Sequence, residues 1–106
     1  MAAVQYRLSS RVYRGMSEVL MRFYDGPFSQ RAKCRVQCPV SEWDASDGMP
    51  VVSKRVTPHS VAASAARMKL EQIRSKVYTE WLNSGKKADE GWLQDVIDNI
   101  MIRKSY

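Results

Sequence analysis

The 106-residue chain predicts an α+β fold: a three-stranded antiparallel sheet packed on a long α-helix, followed by a second, short C-terminal helix. Three observations carry that expectation. Residues 4–8, 17–24 and 30–40 place apolar side chains with a period of two and are separated by turn-forming stretches, the pattern of a β-meander. Residues 58–84 repeat apolar positions at helical spacing, between a Thr57-Pro58 start and a Ser84-Gly85 stop. Residues 90–103 carry two adjacent apolar rows on one short helix. A chain of this length builds one modest core and not two, so residues 1–106 read as a single domain.

In the first strand Val4, Tyr6 and Leu8 alternate with Gln5, Arg7 and Ser9. Residues 10–15, with Arg11 and Arg14, form the following turn. In the second strand Val19, Met21 and Phe23 oppose Leu20, Arg22 and Tyr24. Both parities are largely apolar, so the register is ambiguous, and the favoured one turns Arg22 outward. Asp25-Gly26-Pro27 is a turn signal. The third strand alternates most clearly, with Arg31, Lys33, Arg35 and Gln37 on one parity and Ala32, Cys34, Val36 and Cys38 on the other. Successive strand side chains point to opposite faces, which gives this strand one apolar face and one long, basic, hydrogen-bonding face.

The sheet thus covers about 4–40, and an irregular connector follows at 41–56. It holds Trp43-Asp44 and Asp47-Gly48-Met49-Pro50, with Trp43 as a packing anchor and Val51-Val52 as a short extended piece. In the long helix Ala66, Leu70, Ile73, Val77 and Trp81 form the stripe that covers the sheet. Arg67, Lys69, Arg74 and Lys76, mixed with Glu71 and Glu80, read as its solvated face. In the second helix Trp92, Val96 and Ile100 stack beside Leu93, Ile97 and Met101, implying packing on the first helix or on a partner. Lys86 and Lys87 read as solubilising.

The net charge is +6 and the isoelectric point near 9.6, a balance that favours anionic partners. The bias is local. Residues 5–37 hold seven basic side chains against Glu18 and Asp25, whereas residues 58–106 hold eight basic and six acidic ones. Cys34 and Cys38 on one strand lie about 13 Å apart, beyond the ~7 Å that a disulfide tolerates. They read as buried hydrophobes of a protein in a reducing cytosol. His59 is the only other soft ligand, so no metal site is expected. No apolar run reaches membrane-span length. Residues 1–17 superficially resemble a transit sequence, with three Arg and no acid, but the strand pattern is the stronger reading.

The outward set is Gln5, Arg7, Arg22, Arg31, Lys33, Arg35 and Gln37, extended through the first turn by Arg11 and Arg14. A three-stranded sheet can enter a major groove. There Arg binds guanine O6/N7, Gln pairs with adenine, and other cations hold phosphates. The bland alternative is a solvated face whose Lys and Arg guard against aggregation. Catalysis finds little footing: His59 is isolated in a helix's first turn, Glu42, Asp44 and Asp47 read as turn caps, and no glycine-rich phosphate loop or cofactor motif occurs.

These residues carry a family resemblance. Val4-Gln5-Tyr6-Arg7-Leu8, the strand from Glu18 to Phe23, and Gln30-Arg31-Ala32-Lys33 running into Cys38-Pro39-Val40, with Trp43-Asp44 and Gly48, form a series. It resembles the N-terminal arm-DNA-binding domain of phage-type and conjugative-transposon integrases, of the tyrosine recombinase family. The resemblance spans about residues 4–84. It implies sequence-specific binding of double-stranded DNA at arm-type sites, supporting integration of a mobile element in the bacterial cytoplasm. Arg7, Arg22, Arg31, Lys33 and Arg35 match strand positions of the family's DNA-facing sheet. It also implies that this chain is a non-catalytic piece of a longer integrase. The catalytic residues would then lie in a separate domain, Tyr106 would not be the nucleophile, and the partners would include the remaining integrase domains and other protomers. Two other readings stand beside it. One is an RNA-binding or ribosome-associated accessory protein; the other is a protein-interaction module using the apolar C-terminal helix.

Overall fold

The computed structural model describes residues 2–51, 56–85 and 87–101. Its elements run β1 (Ala3–Leu8), β2 (Met16–Asp25), β3 (Phe28–Pro39), a 3₁₀ turn (Val40–Glu42), β4 (Trp43–Asp44), β5 (Met49–Pro50), α1 (Pro58–Asn83) and α2 (Trp92–Met101). The main sheet has the order β1-β2-β3 and is antiparallel throughout. The expected α+β architecture is therefore present: a three-stranded sheet, a long covering helix and a short second helix.

The β1–β2 connection closes on a two-residue turn. Tyr13 and Met16 exchange both backbone hydrogen bonds, at 2.8 and 3.0 Å, around Arg14 and Gly15. Both central residues have positive φ, 54° and 76°, the type I′ geometry whose twist matches that of paired strands. The Ser17 hydroxyl, facing the carbonyls of Ser9 and Arg11 at 2.7 and 2.9 Å, pins the rest of this loop.

β2 is the strand whose sequence leaves its register open, and pairing decides it. Val4 lies opposite Phe23, Tyr6 opposite Met21 and Leu8 opposite Val19, so the apolar parities of β1 and β2 coincide on one face. Tyr6, Val19, Met21, Phe23, Ala32, Cys34, Val36 and Cys38 are buried there. Arg22 is thereby turned outward. A slip of one residue would have sent Phe23 and Met21 to solvent.

α1 lies across that face. Thr57 and Ser60 form a reciprocal cap: the Thr57 hydroxyl accepts from the Ser60 N–H at 3.1 Å and the Ser60 hydroxyl accepts from the Thr57 N–H at 2.8 Å. Pro58 follows at the first helical position, where its missing N–H costs no helical bond. The stripe Ala63, Ala66, Leu70, Ile73, Val77 and Trp81 is buried against the sheet. The Tyr6 hydroxyl, inside this layer, donates to the Leu70 carbonyl, and burial drives its ionisation far above the ordinary phenol range. At one end Phe23 meets Phe28, Tyr78, Trp81 and Trp92, with ring centroids 5.2–6.2 Å apart. Trp81 Nε1 donates to Asp25 Oδ2 at 2.9 Å, so its one polar atom is satisfied.

Two features differ from the sequence expectation. The connector is not irregular: β4 and β5 form a small antiparallel hairpin, Trp43 opposite Pro50 and Asp44 opposite Met49. Asp44 accepts from the Ser46 N–H, the Ser46 hydroxyl and the Asp47 N–H, and this hydrogen bonding holds its carboxyl below the usual range. A short extended piece falls on Met49–Pro50; of the expected Val51-Val52 piece, Val51 is outside β5 and Val52 lies outside the described residues. Gly48 at the hairpin tip has φ +67°, and a Cβ there would sit 3.3 Å from the Tyr6 carbonyl oxygen. The tip therefore abuts the free edge of β1.

α2 packs on α1, as its apolar rows imply, but it also clasps the edge of β3. Leu93, Val96 and Ile97 are buried. The Gln94 amide behaves as a neighbouring strand would: its Oε1 accepts from the Lys33 N–H at 2.8 Å and its Nε2 donates to the Lys33 carbonyl at 2.9 Å. Gln30 does the converse for the helix, accepting from the Leu93 N–H at 2.8 Å and donating to the Asp89 carbonyl at 2.7 Å. The expected extension of this helix to 103, together with Lys86 and Tyr106, lies outside the described residues.

Candidate nucleic-acid interface

With the inner face sealed by two helices, the outer face of the sheet is the open one. Cross-strand register orders it into rows. Gln5, Arg22 and Arg31 lie abreast on β1, β2 and β3, and Arg7, Leu20 and Lys33 form the next row. Strands stand about 4.8 Å apart and rows two residues, about 7 Å, apart. Four cations, Arg7, Arg22, Arg31 and Lys33, thus share a patch about 10 Å wide and about 7 Å long. All four, and Gln5, are exposed. Among the described residues none of the four is in a salt bridge.

Arg22 is the best-fixed member. Its Nε donates to the Ser29 hydroxyl at 3.3 Å, and its guanidinium lies 5.2 Å from the centre of the Tyr24 ring. A groove of about 680 Å³ crosses all three strands, from Gln94 beside β3 to the hairpin tip at Asp47 and Gly48 beside β1. Gln5, Arg7, Leu20, Arg22, Arg31 and Lys33 line it.

The remaining sequence-derived positions are exposed but stand apart. Between the Glu18–Gln37 and Leu20–Lys33 pairs the register shifts, so that the single residue Val19 faces Cys34, Arg35 and Val36. Arg35 sits at the apex of this bulge with φ +59°, a left-handed conformation unusual for a branchless cationic residue. Its Nε donates to Asp98 Oδ1 of α2 at 3.1 Å. That hydrogen bond favours both charged forms, raising the pKa of the guanidinium and lowering that of the carboxyl. Arg35 is therefore engaged with α2, away from the cation patch. Gln37 lies past the bulge opposite Glu18, whose negative charge closes the basic patch on that side. Arg11 and Arg14 lie on the turn at the same end, Arg14 over the Tyr13 ring at 5.3 Å.

Other groups are structural. Cys34 and Cys38 are free and fully buried, and burial pushes their thiols up to about 12 and about 11. On α1, Lys76 pairs with Glu80 at 3.1 Å. Arg67 bonds the Pro50 carbonyl at 2.9 Å and lies near Asp47 and Glu71 at 3.7 and 3.5 Å. No helix among the described residues is long and apolar enough to cross a membrane. Leu20 and Tyr24, on the same parity as Arg22, also face outward but are not in the sequence-derived set. Once Arg22 is placed outward, the period of two is the signal that finds both.

Comparison with known proteins returns no family model, no curated protein and no solved structure that matches this chain.

Proposed function

We propose that the chain is a non-catalytic double-stranded-DNA-binding domain that lays the outer face of its sheet into the major groove. The observation that carries this is the pair of rows Gln5–Arg22–Arg31 and Arg7–Leu20–Lys33 on one open face. Their width of about 10 Å suits a groove about 12 Å wide. Arg and Gln at the centre supply the donor forks that read guanine and adenine, and flanking cations supply phosphate contacts. The bland reading, a solvated face whose Lys and Arg guard against aggregation, has less to explain at the two sheet edges. The edge of β1 is met by the hairpin tip at Gly48 and the edge of β3 by Gln94.

The resemblance of residues 4–84 to integrase arm domains extends the proposal. The domain would hold arm-type sites while other domains and protomers of a tyrosine recombinase exchange strands during integration of a mobile element in a bacterial cytoplasm. A protein-docking role for the apolar side of α2 has little left to work with, since Leu93, Val96 and Ile97 are already buried in this domain.

Competition between duplex DNA and duplex RNA of the same sequence, with amide shifts recorded on the protein, tests the proposal. DNA should bind in preference and perturb residues 5–7, 20–24 and 31–33. Preference for RNA, or shifts confined to α1 and α2, would overturn it.

A further inference from the structure

Leu20 is the anomaly of the outer face. It sits at the middle of the central strand, pointing away from the core that its neighbours Val19 and Met21 enter. Nothing in the core requires an apolar residue at that position, yet it is half-buried. Arg7 and Lys33 lie directly opposite it on either side, and Arg22 is two residues along the same strand. Leu20 is thus an apolar spot ringed by cations about 5–7 Å away, on the lining of the outer groove.

On the base edges of a duplex major groove the one apolar group is the C5 methyl of thymine. The other groups by which a base is read there are hydrogen-bond donors or acceptors, and pressing a leucine against one would strip water from it without replacing the bond. We infer that Leu20 selects for thymine at the centre of the bound site by packing on this methyl, while the surrounding cations fix the register. The inference rests on the DNA-binding reading and adds a base preference to it. It assigns the hydrophobic contact to a position with no charge, so the contact contributes to sequence choice and leaves the salt dependence untouched.

The probe is a duplex selected by the protein from a pool randomised over the central base pairs. Each thymine in it is then replaced singly by deoxyuridine, which removes only the methyl. For the wild-type chain one or two replacements should weaken binding about fourfold each, the worth of one buried methyl group. Leu20→Ala should bind the thymine and deoxyuridine duplexes equally well, with an unchanged salt slope, and Leu20→Met should keep the preference. The wild-type comparison needs no variant to fold. If no thymine-to-uracil change affects the wild type, or if the loss persists in Leu20→Ala, this inference fails while DNA binding stands. If no duplex is bound at all, both readings fall.

Discussion

Raising the salt concentration is the perturbation whose outcome the geometry of the outer face sets most directly. Each phosphate neutralised by a cation releases counterions and adds about −0.9 to the slope of log affinity against log salt. Arg7, Arg22, Arg31 and Lys33 share the open patch. If all four meet phosphates or the groove potential, the slope is about −3.6, and affinity falls roughly 150-fold between 50 and 200 mM salt. If Arg11 and Arg14 in the β1–β2 connection also reach the backbone, six cations give about −5.4 and a fall of roughly 1,800-fold. Fluorescence anisotropy on a labelled duplex across a salt series separates the two. Arg7→Ala and Lys33→Ala should each flatten the slope by about 0.9. Arg35→Ala should change it little, because that guanidinium is engaged by Asp98, and so should Lys76→Ala, whose ammonium pairs with Glu80 on the far side of the molecule. A slope left intact by loss of Arg7 and Lys33 but flattened by loss of α1 lysines would refute placing the DNA on the sheet.

Two further expectations concern the scaffold. Phe23 is fully buried at the centre of the aromatic cluster, and Phe23→Ala should cost about 3–5 kcal/mol of unfolding free energy in denaturant titration. Because Trp81 and Trp92 touch that ring, their fluorescence should also shift in the native state, and an unchanged midpoint would contradict the packing. The Asp98 carboxyl is held below its ordinary range chiefly by the Arg35 hydrogen bond. A group with a depressed folded-state pKa contributes stability above its unfolded value and loses it as pH falls through the folded one. Hydrogen-exchange protection of α2 should therefore decline with acid below the ordinary carboxylate range near 4, and Asp98→Asn should remove that decline. Protection that stays flat in the wild type would show that the pair does not hold the helix.

Most of the scaffold was legible residue by residue. The burial of β3 follows its alternation: Arg31, Lys33, Arg35 and Gln37 exposed, Ala32, Cys34, Val36 and Cys38 buried. The stripe from Ala66 to Trp81 is the face α1 buries, and Thr57-Pro58 is where it starts. These features are local, because a period or a cap is complete within a few residues of chain. The site was legible only in part. Nothing near Gln94, Gln30 and Asp98 in sequence announces the Lys33 backbone, the first turn of α2 or Arg35 as their partners.

The sequence by itself determined which side chains are basic and which parity of each strand is apolar, and hence that this small sheet carries a charged face. Tertiary structure settled the register of β2, where the sequence does no more than favour Arg22 outward, because both parities are largely apolar until β1, β3 and α1 supply something to bury against. That one choice placed Arg22 between Gln5 and Arg31, and Leu20 between Arg7 and Lys33. The same structure withdrew Arg35 into a contact with α2, because a bulge redirects a side chain in a way no alternation pattern encodes. A periodic pattern specifies faces, but which residues become neighbours on a face is settled by pairing across strands that are distant in the chain.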